Sequence, residues 1–228
     1  AFDYNAKIGF SLENYDERNV YGRKVNASTD DIVSISGTLA DSLTNEKYLN
    51  NVLNFLGHAD FSWKNRLHLG VNLNLERSSN FGPDGSWNLY AGVDLNGDVI
   101  KADNHFLNVY AQWGRNGNNE IRGTYYAGMY YATHYYGYGG VYLGNIANKD
   151  LKPEITDNYD FGVRSSLFNH LLDLNVGYYI RRTTGLLTQK AVAIEVGLDP
   201  QYENNGEVLN QGLEAEMNLR LVQSPKVR

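Results

Sequence analysis

Tyr159-Asp160-Phe161-Gly162-Val163-Arg164-Ser165-Ser166-Leu167 and Leu172-Asp173-Leu174-Asn175-Val176-Gly177-Tyr178-Tyr179-Ile180-Arg181, within the stretch Thr156 to Thr183, decide how the chain is read. In the first run Tyr159, Phe161, Val163, Ser165 and Leu167 alternate with Asp160, Gly162, Arg164 and Ser166. In the second, Leu172, Leu174, Val176, Tyr178 and Ile180 alternate with Asp173, Asn175, Gly177, Tyr179 and Arg181. Successive side chains on a strand point to opposite faces, so each run has one apolar face and one polar, partly charged face. The short link at Asn169-His170 makes the pair an antiparallel hairpin. Strands of about ten residues are long enough to cross a tilted path through a bilayer. The same alternation serves a soluble sandwich with its apolar face inside and a membrane barrel with its apolar face outside. One hairpin does not separate the two.

Composition narrows the choice. The chain has 228 residues, no cysteine and a net charge of −6. The missing thiols exclude a disulfide framework and a thiolate metal site, and the acidic balance argues against a nucleic-acid partner. Eighteen Tyr and 23 Gly suit aromatic girdles and tight turns. No apolar run approaches the roughly 18 residues of a spanning helix, so a membrane crossing would need strands closed into a barrel. The start at Ala1 without Met is expected from processing or from a position inside a longer chain.

Outward from the hairpin, the same alternation predicts strands over 2–12, 53–63, 67–76, 89–95, 107–114 and 207–221. With the hairpin that makes eight antiparallel strands in one segment, 1–228. Links at Lys64-Asn65 and Asn169-His170 are tight and 97–104 is modest, whereas 14–50, 78–86, 116–155 and 184–205 are mostly long. A short β-branched patch, Ile32, Val33 and Ile35, predicts a small hairpin within 14–50. Short turns on one rim and long loops on the other mark a bacterial outer-membrane barrel. Leu69, Leu73, Val163, Val176 and Leu219 are then expected on lipid, and His68, Asn72, Arg164, Asn175 and Glu216 on the lumen.

Five segments carry a resemblance to the SusC/RagA family of TonB-dependent outer-membrane receptors, nutrient importers of Bacteroidetes. They are Leu75-Glu76-Arg77-Ser78-Ser79-Asn80-Phe81-Gly82-Pro83, Trp113-Gly114-Arg115-Asn116-Gly117-Asn118-Asn119, Asn148-Lys149-Asp150-Leu151-Lys152-Pro153-Glu154, the opening hairpin, and Asn205-Gly206-Glu207-Val208-Leu209-Asn210-Gln211-Gly212-Leu213-Glu214. They occur in the family's order over nearly the whole chain. The resemblance implies a barrel of about 22 strands around a plug domain. It also implies import of glycans or oligopeptides, a SusD-like surface lipoprotein as lid, and energy delivered by the TonB complex through the plug. No plug segment and no C-terminal aromatic stand in this sequence, so an internal portion of a larger barrel is expected, completed by the missing remainder in outer-membrane lipid. Transport is implied, not catalysis, and no cofactor.

The best ligand or lid-contact candidates lie in 116–155: Tyr125, Tyr126, Tyr130, Tyr131, Tyr135, Tyr136, Tyr138 and Tyr142. Tyrosines stack on sugar rings and hydrogen-bond through their hydroxyls, and equally pack a loop on itself or join an interfacial girdle. His58, His68, His105, His134 and His170 lack metal-ligand spacing. The carboxylates Asp160 and Asp173, or Glu214 and Glu216, invite comparison with a glycosidase pair, but lumen strands carry such residues routinely. Phe61, Trp63, Trp87 and Trp113 near strand ends fit interfacial anchors. Two alternatives stay open: a self-closed eight-strand barrel with a structural or adhesive role, and a soluble carbohydrate-binding β-sandwich.

Overall fold

The computed structural model describes residues 2–23, 42–82, 87–102, 104–118, 130–135 and 138–220. Alternating apolar and polar residues form long strands: β1 (Phe2–Arg23), β2 (Ser42–Trp63), β3 (Leu67–Ser78), β4 (Asn88–Lys101) and β5 (Phe106–Asn118). Then come β6 (Tyr130–Tyr135), β7 (Tyr138–Leu143), β8 (Glu154–Leu167), β9 (Leu172–Thr184), β10 (Leu187–Lys190), β11 (Gln201–Asn204) and β12 (Glu207–Leu219). Eight of them make a single antiparallel sheet in the order β1-β2-β3-β4-β5-β8-β9-β12, and β6–β7 and β10–β11 are separate two-stranded ribbons.

Register sorts the two faces across the whole sheet. Tyr4, Phe61, Leu69, Leu95, Ala111, Phe161, Tyr178 and Leu213 stand opposite one another in sequence, one from each strand. One residue along, the row is Asn5, Asp60, Gly70, Asp94, Gln112, Asp160, Tyr179 and Gly212. Directly opposite residues share a face, so one face is continuously apolar and the other polar. The residues expected on lipid (Leu69, Leu73, Val163, Val176, Leu219) all lie on the apolar face, and those expected on the lumen (His68, Asn72, Arg164, Asn175, Glu216) on the polar one. The apolar face is open: Ile8 is 95% exposed and Leu213 71%. A soluble sandwich buries this face against a second sheet. Among the described residues the buried hydrophobics are Phe81, Tyr90 and Leu151, none of which is on it.

The tight turns gather on one rim. Among the described residues every non-glycine with positive φ is in one of two turns, Lys64 and Asn65 (φ 53° and 49°) or Phe168, Asn169 and His170 (54°, 55° and 62°). Left-handed residues at a hairpin tip match the twist of the strands they join. The second link is wider than the two residues expected: the turn spans Phe168 to Leu171, closed by the Leu171 amide donating to the Phe168 carbonyl at 3.2 Å.

The opposite rim departs from expectation in extent. The loop expected over 14–50 is narrower, because β1 runs to Arg23 and β2 begins at Ser42, paired throughout. Polar residues hold this extension. Tyr15 packs edge-on against Tyr48 with ring centroids 5.6 Å apart, and Arg18 bonds Asp16 at 3.2 Å. That hydrogen bond keeps the Asp16 carboxyl below the usual carboxylate range. Over this extension the alternation fades while the backbone ladder, which requires no particular side chain, continues. Ile32, Val33 and Ile35 lie outside the described residues. The other long loops are partly structured too: 116–155 contains β6–β7, and 184–205 contains β10–β11. Strand β4 also continues past its expected end to Lys101, with a register shift between Asp98 and Ile100.

If the apolar face meets lipid, Leu73→Arg impairs assembly of the full-length protein far more than Asn72→Arg, by about 2–4 kcal/mol at mid-membrane depth. The folded fraction in outer membranes, read by heat-modifiable migration on gels, checks this.

Candidate functional site

The polar wall is built on glycine and tyrosine. Tyr110 reaches across its neighbours, and a Cβ at Gly162 would collide with its ring. A Cβ at Gly177 would come within 3.0 Å of the Tyr110 hydroxyl. The Arg164 guanidinium stacks on the Tyr110 ring, 4.4 Å from its centroid. These flat contacts smooth the wall at its centre.

Between the rings lie polar clefts. One of about 680 Å³ is lined by Lys7, His58, Asn72, Asn74, Glu76 and Tyr90, among others. It opens where the β4–β5 ladder stops at Gly92 and Gly114, although β4 still pairs with β3 to Asn88. A second, of about 250 Å³, holds Arg164, Asn175 and Glu216 with Ser166 and Asp173. Arg164, Asn175 and Glu216 are direct cross-strand neighbours, whereas His68 and Asn72 sit on β3. In the first cleft His58 Nδ1 lies 2.7 Å from Asn72 Oδ1 and its Nε2 lies 2.6 Å from Asp60 Oδ2, which fixes the ring.

The carboxylates do not assemble a hydrolytic pair. Asp173 stands opposite Ser166, well along β8 from Asp160, and bonds Ser166 at 2.6 Å and Arg220 at 3.3 Å. Glu214 and Glu216 share a face, opposite Gly177 and Asn175, as any alternate residues do. Of the histidines, His170 Nδ1 meets Ser166 Oγ at 2.7 Å, and the His105 Nδ1 accepts from the Phe168 amide at 3.4 Å. Among the described residues no three His, Asp or Glu side chains are grouped to hold a metal ion.

The long-loop rim carries a small core that periodicity does not announce. Ser78 Oγ accepts from the Asn80 amide at 3.3 Å and starts a tight turn over Ser79–Phe81. The Asn80 side chain meets the Tyr48 hydroxyl at 2.8 Å, and the hydroxyls of Ser78 and Ser79 donate to Asn50 Oδ1 at 3.1 and 3.2 Å. Phe81 and Leu151, each 4% exposed, pack together with Leu187 and Tyr202 beside them. Around them Asn148 Nδ2 donates to the Tyr202 carbonyl at 2.7 Å, and Asn204 Oδ1 accepts from the Lys152 amide at 2.8 Å. Segments 75–83 and 148–154, and the stretch leading into 205–214, therefore meet in space. The available signal was one large apolar residue, Phe81 or Leu151, in each of two otherwise polar segments, 78–86 and 148–154.

The tyrosines divide. Tyr125, Tyr126 and Tyr136 lie outside the described residues. Tyr130, Tyr131 and Tyr135 are on β6, and Tyr138 and Tyr142 on β7, 79% and 51% exposed.

A single antiparallel meander with an open apolar face, a polar inner wall and loops sorted by rim has the make-up of an outer-membrane barrel wall. The family model described as TonB dependent receptor-like, beta-barrel, matches residues 1–224. The chain belongs to that family. Among relatives of this TonB-dependent receptor barrel, receptor P26 of Formosa agariphila is 23% identical over 213 residues, which is 89% of this chain and 22% of that protein. Receptor SusC of Bacteroides thetaiotaomicron is 24% identical over 188 residues, 75% of this chain and 19% of SusC. The fold matches the structure of the RagAB peptide transporter with a TM-score of 0.85 at 20% identity, covering 98% of this chain and 26% of that one. The TonB-dependent receptor barrel described here thus spans about a fifth to a quarter of the length of these relatives.

The rim core gives a separable test in the full-length protein. Phe81→Ala and Leu151→Ala remove side chains whose loss typically costs about 2–5 kcal/mol in a packed site. If the long-loop rim faces outside, the expected outcome is faster cleavage of the 116–155 and 184–205 loops by protease added to intact cells, with the heat-modifiable barrel retained.

Proposed function

We propose that this chain forms a sector of the wall of an outer-membrane nutrient importer for glycans or oligopeptides. The carrying observation is the register that sorts all eight main strands into one apolar and one polar face. In this reading the apolar face meets lipid, and His68, Asn72, Arg164, Asn175 and Glu216 line the solute path. The tight turns at Lys64-Asn65 and Asn169-His170 face the periplasm, and the long loops 14–50, 78–86, 116–155 and 184–205 face outside. A SusD-like lipoprotein covers the long-loop rim, and TonB acts from below through a plug contributed by the rest of the receptor. The reaction is vectorial transport, with no covalent chemistry assigned to these residues.

The edges favour a wide barrel over a self-closed one. Among the described residues β1 pairs only with β2 and β12 only with β9. An unpaired strand edge in hydrocarbon leaves each backbone polar group without a partner, at several kcal/mol per group. Further strands on both sides satisfy them.

Orientation is tested with single cysteines in the full-length receptor, which gains a unique thiol in this sector. An impermeant thiol reagent on intact cells labels Tyr138→Cys and not His170→Cys; the reverse pattern refutes the orientation. Transport is tested by uptake of labelled oligopeptides and oligosaccharides in cells carrying or lacking TonB. Uptake that persists without TonB removes the importer reading.

A further inference from the structure

The β4–β5 seam is parted over 88–91 of β4 and 115–118 of β5. Its register ends at Gly92 opposite Gly114, although β4 keeps its β3 partners to Asn88 and β5 keeps its β8 partners to Asn118. The two lips match in length. Continued in the same register, Ala91, Tyr90, Leu89 and Asn88 would stand opposite Arg115, Asn116, Gly117 and Asn118, where β4 begins and β5 ends.

Tyr90 fills the opening. Opposite Asn74 on β3, it belongs to the polar face, whereas Gly117, in step with Trp113 and Arg115, belongs to the apolar one. A Cβ at Gly117 would nonetheless collide with the Tyr90 ring and hydroxyl. A polar-face ring reaches an apolar-face position of the next strand only where the ladder between them has parted. Tyr90 is 8% exposed, and among the described residues its hydroxyl has no partner, so packing of the ring and not a hydrogen bond holds it there. The cleft of about 680 Å³ on the polar face runs up to the same residues, Tyr90 to Gly92 and Gly114 to Gly117.

Each lip is tied away from the other. On β5, Arg115 donates twice to Asp157 at 2.9 Å, Trp113 Nε1 donates to the same carboxylate at 3.3 Å, and Asn118 Nδ2 donates to Glu154 at 3.0 Å. Both carboxylates are on β8. On β4, Leu89 and Asn88 stand opposite Leu75 and Glu76 of β3, and just before it Trp87 packs on Phe55 with ring centroids 5.8 Å apart. The partly exposed Arg115–Asp157 ion pair sets the parting at the long-loop end of the apolar rows. A parted ladder is costly in hydrocarbon and tolerated where water reaches it.

We propose that the β4–β5 seam is a two-state switch in the long-loop rim, wedged open by the Tyr90 ring and closed by the ladder running on to Asn88 and Asn118 when the ring withdraws. The closed state gains backbone pairs and the open state gains the buried ring, so the two oppose each other directly. Closure is sterically free at its crowded point, because Gly117 sets no side chain against Leu89 and Tyr90 returns to the polar face beside Asn116. It brings the lips to the roughly 4.8 Å spacing of paired strands and narrows the rim in this sector. Its role in passage rests on the importer reading, in which solute crosses this rim.

The test places Asn88→Cys and Asn118→Cys in the full-length receptor freed of any other cysteine, and follows disulfide formation in membranes by gel mobility. Directly opposite strand residues fall within disulfide reach. Linking is slow while Tyr90 is present. It becomes about tenfold faster with Tyr90→Ala, which removes the wedge, and with Gly117→Ala, whose Cβ takes the ring's place, as a minor state becomes the main one. Tyr90→Phe links at the original rate, because the hydroxyl holds nothing. The pair Leu89→Cys/Asn118→Cys, one residue out of register, stays slow throughout. Equal rates with and without the ring overturn the wedge, no linking in any variant overturns the closed state, and equal linking of both pairs shows fraying in place of a switch. Heat-modifiable migration confirms that each variant is folded. Finally, the closed disulfide slows TonB-dependent uptake at least about twofold and reductant restores it. Unchanged uptake overturns the role in passage, whereas uptake that never needed TonB counts against the importer reading alone.

Discussion

The constraint on which everything else depends is that a strand in hydrocarbon must give every backbone N–H and C=O a partner. Eight strands meet it through unbroken antiparallel ladders, each neighbour paired over ten or more residues except at β4–β5, where the ladder is shorter and shifted. Once the ladders are fixed, register is fixed, and a one-residue slip would turn every apolar side chain to the wrong face. The apolar rows and polar rows are thus one fact seen from two sides. Among the described residues the two edge strands, β1 and β12, are paired on one side only.

Inside, the wall trades bulk for smoothness. Tyrosines lean over glycines on neighbouring strands, as Tyr110 does over Gly162 and Tyr179 beside Gly212. Charged groups between them are held by neighbours, as His58 is by Asp60 and Asn72. The polar face presents shallow clefts between flat side chains in place of one deep pocket.

At the long-loop rim the rules of a soluble protein return. Water is available, so strands extend without apolar alternation, and stability comes from a small buried core and buried amides. Phe81 and Leu151 tie two loops to the β10–β11 ribbon, and Asn80, Asn148 and Asn204 bond across them. The rim therefore carries a small packed core of its own.

Alternation alone determined the eight main strands, their two faces and the sorting of turns from loops, because a side-chain period of two is local and lipid enforces it residue by residue. The segments around Ser78–Pro83 and Asn148–Glu154 were legible as motifs and carried the family, but not as partners. Tertiary structure decided that Phe81 and Leu151 meet and that β1 and β2 continue to Arg23 and Ser42. The reason is physical: above the bilayer no solvent boundary imposes a period on the sequence, and the contacts there join residues as far apart as Asn148 and Tyr202, which no local pattern relates.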